Sequence, residues 1–229
     1  MWNIGRWNIY GLAEGIDVLI AVQSYAGFEA MIAPTDFTDE LDLYLYVSAS
    51  VMGQFDIAKE AVYKDTTYQL PEDWWSVWRC EILTSDPSGE QHAVLFTNSA
   101  TFISFICHGF SDDFDALVCE FEGAFLSSLQ AQGLLLPANV STQTRLIRGN
   151  PRRLVGTMKE LKGQALAIAS RPEEPVTPAE IERRLQHRPC SSLEAVFPDY
   201  EYLKQIKANP PFGADFDDTD DVIVPFPGS

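Results

Sequence analysis

Residues 112–132, Asp112-Asp-Phe-Asp-Ala-Leu-Val-Cys-Glu-Phe-Glu-Gly-Ala-Phe-Leu-Ser-Ser-Leu-Gln-Ala-Gln132, carry the clearest periodic signal in the chain. Phe114, Leu117, Val118, Phe121, Phe125 and Leu129 recur at three- and four-residue spacing, which makes one stripe of an α-helix apolar. Ser111 or Asp112 is placed to cap the start. Asp112, Asp113 and Asp115 fall in the first turn, where the helix dipole favours acids. Gly133 ends the helix, and Leu134 sits where a closing hydrophobic contact is expected.

Strand signals lie on both sides of it. Asp42-Leu-Tyr-Leu-Tyr-Val-Ser48 sets Leu43, Leu45 and Val47 against Tyr44 and Tyr46, an alternation that predicts a strand. Asp17–Gln23 is an apolar run of strand length. Trp74–Leu83 and His92–Thr97 bracket Ser85-Asp-Pro-Ser-Gly89, a polar cluster that predicts a hairpin. Thr101–Cys107 fits strand or helix equally. A strand is expected over 142–147, and helices over 55–63, 157–170 and 199–208. Thr177-Pro178-Ala179-Glu180 predicts another helix start: Thr177 caps, Pro178 takes the first helical position and Glu180 completes a capping box. The expected class is α+β, a mixed or antiparallel sheet packed against a few helices. Its organisation reads as an acidic β-rich segment 1–70, an α+β domain 71–208 and a flexible, disordered acidic tail 209–229.

The charge is lopsided. Among 229 residues, 33 acids face 16 Lys and Arg, for a net charge of −17. Residues 1–140 carry −16, residues 141–208 carry +4, and the tail carries −5. With 46% hydrophobic and 21% charged residues the chain is ordinary globular material. A chain of this length hides roughly 70% of its extended surface and needs no disulfide or metal to hold a core. Direct nucleic-acid binding is disfavoured, because it rests on cations that release counterions. The opening Met1-Trp-Asn-Ile-Gly-Arg6 has no leader pattern, and no apolar run reaches the ~20 residues that span a bilayer. The four cysteines show no pairing spacing. A cytoplasmic protein with reduced thiols is therefore expected.

No GxSxG, Walker A, GxGxxG or HExxH motif occurs, and Cys107-His108 with Cys119 lacks the close pairs of a zinc site. No catalytic residue, metal or cofactor is assigned, and the chain is read as more plausibly a binding protein than an enzyme. Three groups remain. Acids at Asp36, Asp39, Glu40 and Asp42, at Asp112, Asp113 and Asp115, and at Asp217, Asp218, Asp220 and Asp221 would form a surface for a cationic partner. Arg145, Arg148, Arg152 and Arg153 surround Gly149-Asn150-Pro151 and could hold a phosphate beside a helix start. Trp74, Trp75 and Trp78 suit core packing or, alternatively, an aromatic contact surface.

Several segments together resemble the uncharacterised bacterial family numbered 6933 among domains of unknown function. They are Asp73-Trp74 with a strand behind it, Ala93-Val-Leu-Phe-Thr-Asn-Ser-Ala-Thr-Phe102, Leu129-Gln-Ala-Gln-Gly133, Arg148-Gly-Asn-Pro-Arg-Arg-Leu-Val-Gly-Thr-Met158 and Arg188-Pro-Cys-Ser-Ser-Leu193. The resemblance covers about residues 73–204. It implies a bacterial or mobile-element source and supplies no activity or site residue. The family's short basic opening is replaced here by an acidic one.

The leading expectation from charge is a non-enzymatic acidic module. It would be an inhibitor or anti-defence protein that mimics DNA and occupies the basic surface of a nucleic-acid-binding protein, without touching nucleic acid or membrane itself. The alternative is an enzyme or sensor that binds a phosphorylated small molecule at the Arg148–Arg153 turn.

Overall fold

The computed structural model describes residues 40–64, 70–137, 139–149, 151–170, 176–190, 193–194 and 196–213. Asp36, Asp39, Asp217, Asp218, Asp220, Asp221, the run Asp17–Gln23 and the side chain of Arg153 lie outside the described residues, as does most of the acidic tail.

The alternating stretch forms β1 (Glu40–Val47), followed by the short helix α1 (Ala49–Gln54) and β2 (Tyr63–Lys64). The hairpin is β3 (Val77–Ser85) and β4 (Gln91–Asn98), and β5 (Ser104–Phe110) precedes α2 (Phe114–Ala131). Then come β6 (Ser141–Arg148), α3 (Arg152–Ala169), α4 (Pro178–Gln186) and α5 (Pro198–Ala208). The strands form one sheet in the order β2-β6-β1-β3-β4-β5. β1 runs parallel to both β3 and β6, and β2 parallel to β6, while β3-β4-β5 are antiparallel. The class is α+β with a mixed sheet, as the sequence predicts. Residues 40–64 are not set apart from the rest; they supply β1, with a partner on each side.

Helices cover both faces. On one, Leu43, Leu45, Val47, Trp78, Val94 and Phe96 meet α1, the apolar stripe of α2, and Tyr202 and Ile206 of α5. On the other, Leu95 and Ile106 meet Leu154, Met158 and Ile181 of α3 and α4, with Tyr44, Tyr46 and Ile147 as a smaller cluster. The stripe of α2 is buried as expected at Phe114, Leu117, Phe121, Phe125 and Leu129. Each such side chain contributes about 1.5–3 kcal/mol relative to exposure. Asp113, rather than Ser111 or Asp112, is the cap: its carboxylate accepts the Ala116 N–H at 2.9 Å. Gly133 takes φ of 83°, and the Leu134 N–H reaches the Leu129 carbonyl.

Three expectations need correction. The helix expected over 55–63 lies earlier, because Ser48 caps the Val51 N–H and Phe55 ends the turn as its C-cap. The helix expected over 157–170 begins at Arg152, directly after Pro151. Thr177 caps Glu180 as expected, but the Glu180 carboxylate does not complete the box. It turns outward to Arg183 and Arg184, at 2.7 and 2.6 Å.

Candidate functional site

At the carboxyl end of β1 the chain turns into α1 on one face, whereas at the carboxyl end of the adjacent β6 it turns into α3 on the other. Adjacent parallel strands whose connections leave on opposite faces open a crevice between their ends, which is where open α/β sheets take ligands. An open cleft of about 390 Å³ sits there, lined by Val47, Ala49, Met52, Lys64, Arg148 and Gly149.

Register explains the lining. Tyr46 pairs with Ile147, and Lys64 with Arg148. Val47, Arg148 and Lys64 therefore stand in one row across three strands, and side chains in a row share a face. Val47 belongs to the α1 face, so both cations flank the apolar wall made by Val47, Ala49 and Met52. Lys64 and Arg148 are both exposed.

Beneath the crevice lies a polar support. Arg79, 3% exposed, donates to the Gly149 carbonyl at 3.4 Å and pairs with Glu81 at 3.4 Å. The other Glu81 oxygen accepts the Ser48 and Ser50 hydroxyls at 3.3 and 2.9 Å. One buried guanidinium thus ties β3 to the turn that follows β6, and its carboxylate partner holds the cap of α1. This fixes the ends of β1 and β6 around the opening.

Arg145 and Arg148, grouped from sequence, do not stand together. Arg145 stands three residues before Arg148 on a strand, so it points to the other face. There it pairs with Asp42 at 3.0 Å and lies over the Tyr44 ring at 5.8 Å. Arg152 is exposed in the first turn of α3, which lacks both acids and a capping side chain. Lys64, Arg79 and Glu81 were missed by sequence reasoning. Arg79 and Glu81 had a signal, since two opposite charges two apart inside an apolar strand share one face.

The acids singled out from sequence, where they are described, divide between the two ends of the sheet. Glu40 and Asp42 lie where β1 begins, and Asp112, Asp113 and Asp115 lie beyond the end of β5. Trp74 and Trp78 are buried, donating to the Asn209 and Trp75 carbonyls at 2.8 and 2.6 Å, while Trp75 is half-buried against Trp74. Among the described residues no group of three or more His, Cys, Asp and Glu side chains is set to hold a metal ion, and no helix is long and apolar enough to cross a membrane.

The family model described as a domain of unknown function (DUF6933) matches residues 57–201. Its span includes Lys64, Arg79, Arg148 and Gly149 and begins after α1. No curated protein and no solved structure matches the chain. With well over half of its length under that match, the chain belongs to the DUF6933 domain family.

Proposed function

We propose that the chain binds a phosphorylated small molecule, as an enzyme or a sensor, in the cleft at the carboxyl ends of β1, β6 and β2. The observation that carries this reading is the row formed by Lys64 and Arg148 beside an apolar wall at a strand-end crevice. In a chain of net charge −17, two exposed cations facing one opening are a local reversal of the field. A phosphoryl group suits both, since Arg offers a planar fork and Lys a compact point charge. The same proposal includes a reducing, cytoplasmic setting, which the four cysteines without pairing spacing suit.

Thermal shift against a panel of nucleotides and sugar phosphates is the test. A ligand at a hundred times its Kd stabilises by about 2.7 kcal/mol, which a melting curve resolves. Lys64→Gln with Arg148→Gln should remove the shift. A panel without any response would end the reading.

A second reading keeps the acidic surface as the partner site. It is favoured by one observation: Asp112, Asp113 and Asp115 are exposed within a turn of each other, at the start of a helix that holds no Lys or Arg. A basic, nucleic-acid-binding protein partner would then be captured at low salt and released near about 0.5 M NaCl, where screening acts within a few ångströms. Retention unchanged by salt, or by Asp112→Asn with Asp115→Asn, counts against it.

A further inference from the structure

The cleft has two chemically distinct halves, and together they narrow the ligand class. This step rests on the phosphoryl-binding reading above. Lys64 and Arg148 supply two positive charges, which balance the two negative charges of a phosphate monoester. A diphosphate or triphosphate would bring more charge than these two side chains neutralise. Among the described residues the remaining lining side chains are Val47, Ala49 and Met52, whose one polar atom is the weakly accepting Met52 sulfur. An inorganic ion would leave that wall uncovered, and a sugar phosphate has only a puckered, hydroxylated ring to set against it, with no flat apolar face. Val47 is held by the core, whereas Met52 is half-buried on α1, where its flexible thioether can lie against a flat ring. The volume of about 390 Å³ stands at the lower end of the roughly 300–1,000 Å³ of ligand clefts, enough for one ring system and one phosphoryl group.

We infer that the cleft takes a phosphate monoester that carries a flat ring, the class of a nucleoside monophosphate, with one ring face on the apolar wall and the ribose hydroxyls and ring-edge nitrogens toward the open side. Its phosphoryl group would lie between Lys64 and Arg148 and its ring on Met52.

Calorimetry on the full chain with adenosine 5′-monophosphate, adenosine, inorganic phosphate and glucose 6-phosphate separates this inference from the reading beneath it. Adenosine monophosphate should bind at least about ten-fold tighter than each of the other three, a difference of about 1.4 kcal/mol. Met52→Ser should weaken the monophosphate several-fold and leave phosphate unchanged, and circular dichroism of that variant should match the parent. Equal affinities for the monophosphate, phosphate and glucose 6-phosphate would overturn the inference and leave the phosphoryl site standing. Adenosine binding as tightly as its monophosphate, or no binding by any phosphorylated probe, would overturn both.

Discussion

The Glu182 carboxylate on α4 accepts the backbone N–H of Ile106 on the outer edge of β5. Two residues on, Glu120 of α2 accepts the His108 N–H at 3.0 Å. β5 is the last strand of the sheet, so these amides have no strand partner. Side chains from helices on opposite faces close the edge, which otherwise would be a template for another chain.

Burial raises the Glu182 pKa, the Ile106 N–H opposes that, and Glu120 adds repulsion. The sign follows directly. A carboxyl that holds its proton more tightly when folded makes the fold lose stability as pH rises from the ordinary glutamate range through the raised value. Glu182→Gln keeps the acceptor and removes the charge, so urea melts of this variant should lack that loss. Glu182→Ala should instead cost about 1–3 kcal/mol at any pH, by stranding the Ile106 amide. Identical pH profiles for parent and Gln variant would refute the assignment.

Asn98, fully buried, organises the turn between β4 and β5. Its Oδ1 accepts the Ala100 and Thr101 amides and the Thr101 hydroxyl at 3.0, 3.0 and 3.1 Å, and its Nδ2 donates to the Trp74 carbonyl at 2.9 Å. The same turn holds Phe102 at φ of 59°, a left-handed conformation that a side chain this bulky adopts only under constraint. Asn98→Ala should therefore destabilise by about 3 kcal/mol or more in denaturant titration. Asn98→Asp keeps the acceptors but loses the donors and buries a charge, and it should be no better.

Arg79→Met retains an apolar stem in the sheet and deletes the guanidinium. It should cost about 1.5–3 kcal/mol, since the Gly149 carbonyl and Glu81 lose a charged partner. It should also weaken phosphoryl-ligand binding while the affinity of Met52→Ser for phosphate stays unchanged. Parent stability in chemical melts of Arg79→Met would show that the tie between β3 and the turn that follows β6 is idle.

Thiol labelling should be sharply uneven. Cys119 is exposed on α2, whereas burial pushes the thiols of Cys80 and Cys107 well above their ordinary range. A thiolate-selective reagent on native protein should modify Cys119 first, and Cys119→Ser should remove the fastest phase. Cys80 and Cys107 should react only on unfolding. Early labelling of either by mass spectrometry would contradict the packing around Trp78 and Phe105.

β1 and α2 were legible because their two sides differ in kind: leucines against tyrosines on β1, aromatics against acids on α2. α1 was not, since six residues are too few for a period, and Val51 and Phe55 form a single i,i+4 pair. Arg148 stood out beside Gly149, but grouping it with Arg145 ignored strand parity, which was already implied by the strand expected over 142–147. Lys64 carried no local signal. It sits in a two-residue strand, and its place beside Arg148 comes from a register set by distant sequence. Glu180 misled in the opposite way: the box pattern was present, yet two arginines downstream competed successfully for the same carboxylate.

The central place of β1 governs the order in which the chain can be completed during synthesis. β1 emerges before every other described strand, yet Tyr46 must wait for Ile147 before its second side is satisfied. Until the ribosome has delivered β6, a row of main-chain amides and carbonyls stays open next to Leu43 and Leu45. Translation that stalls before Arg148 leaves an adhesive, half-paired sheet that invites chaperones or misassociation. The strand held between β6 and β3 in the finished sheet is thus also the segment left longest at risk.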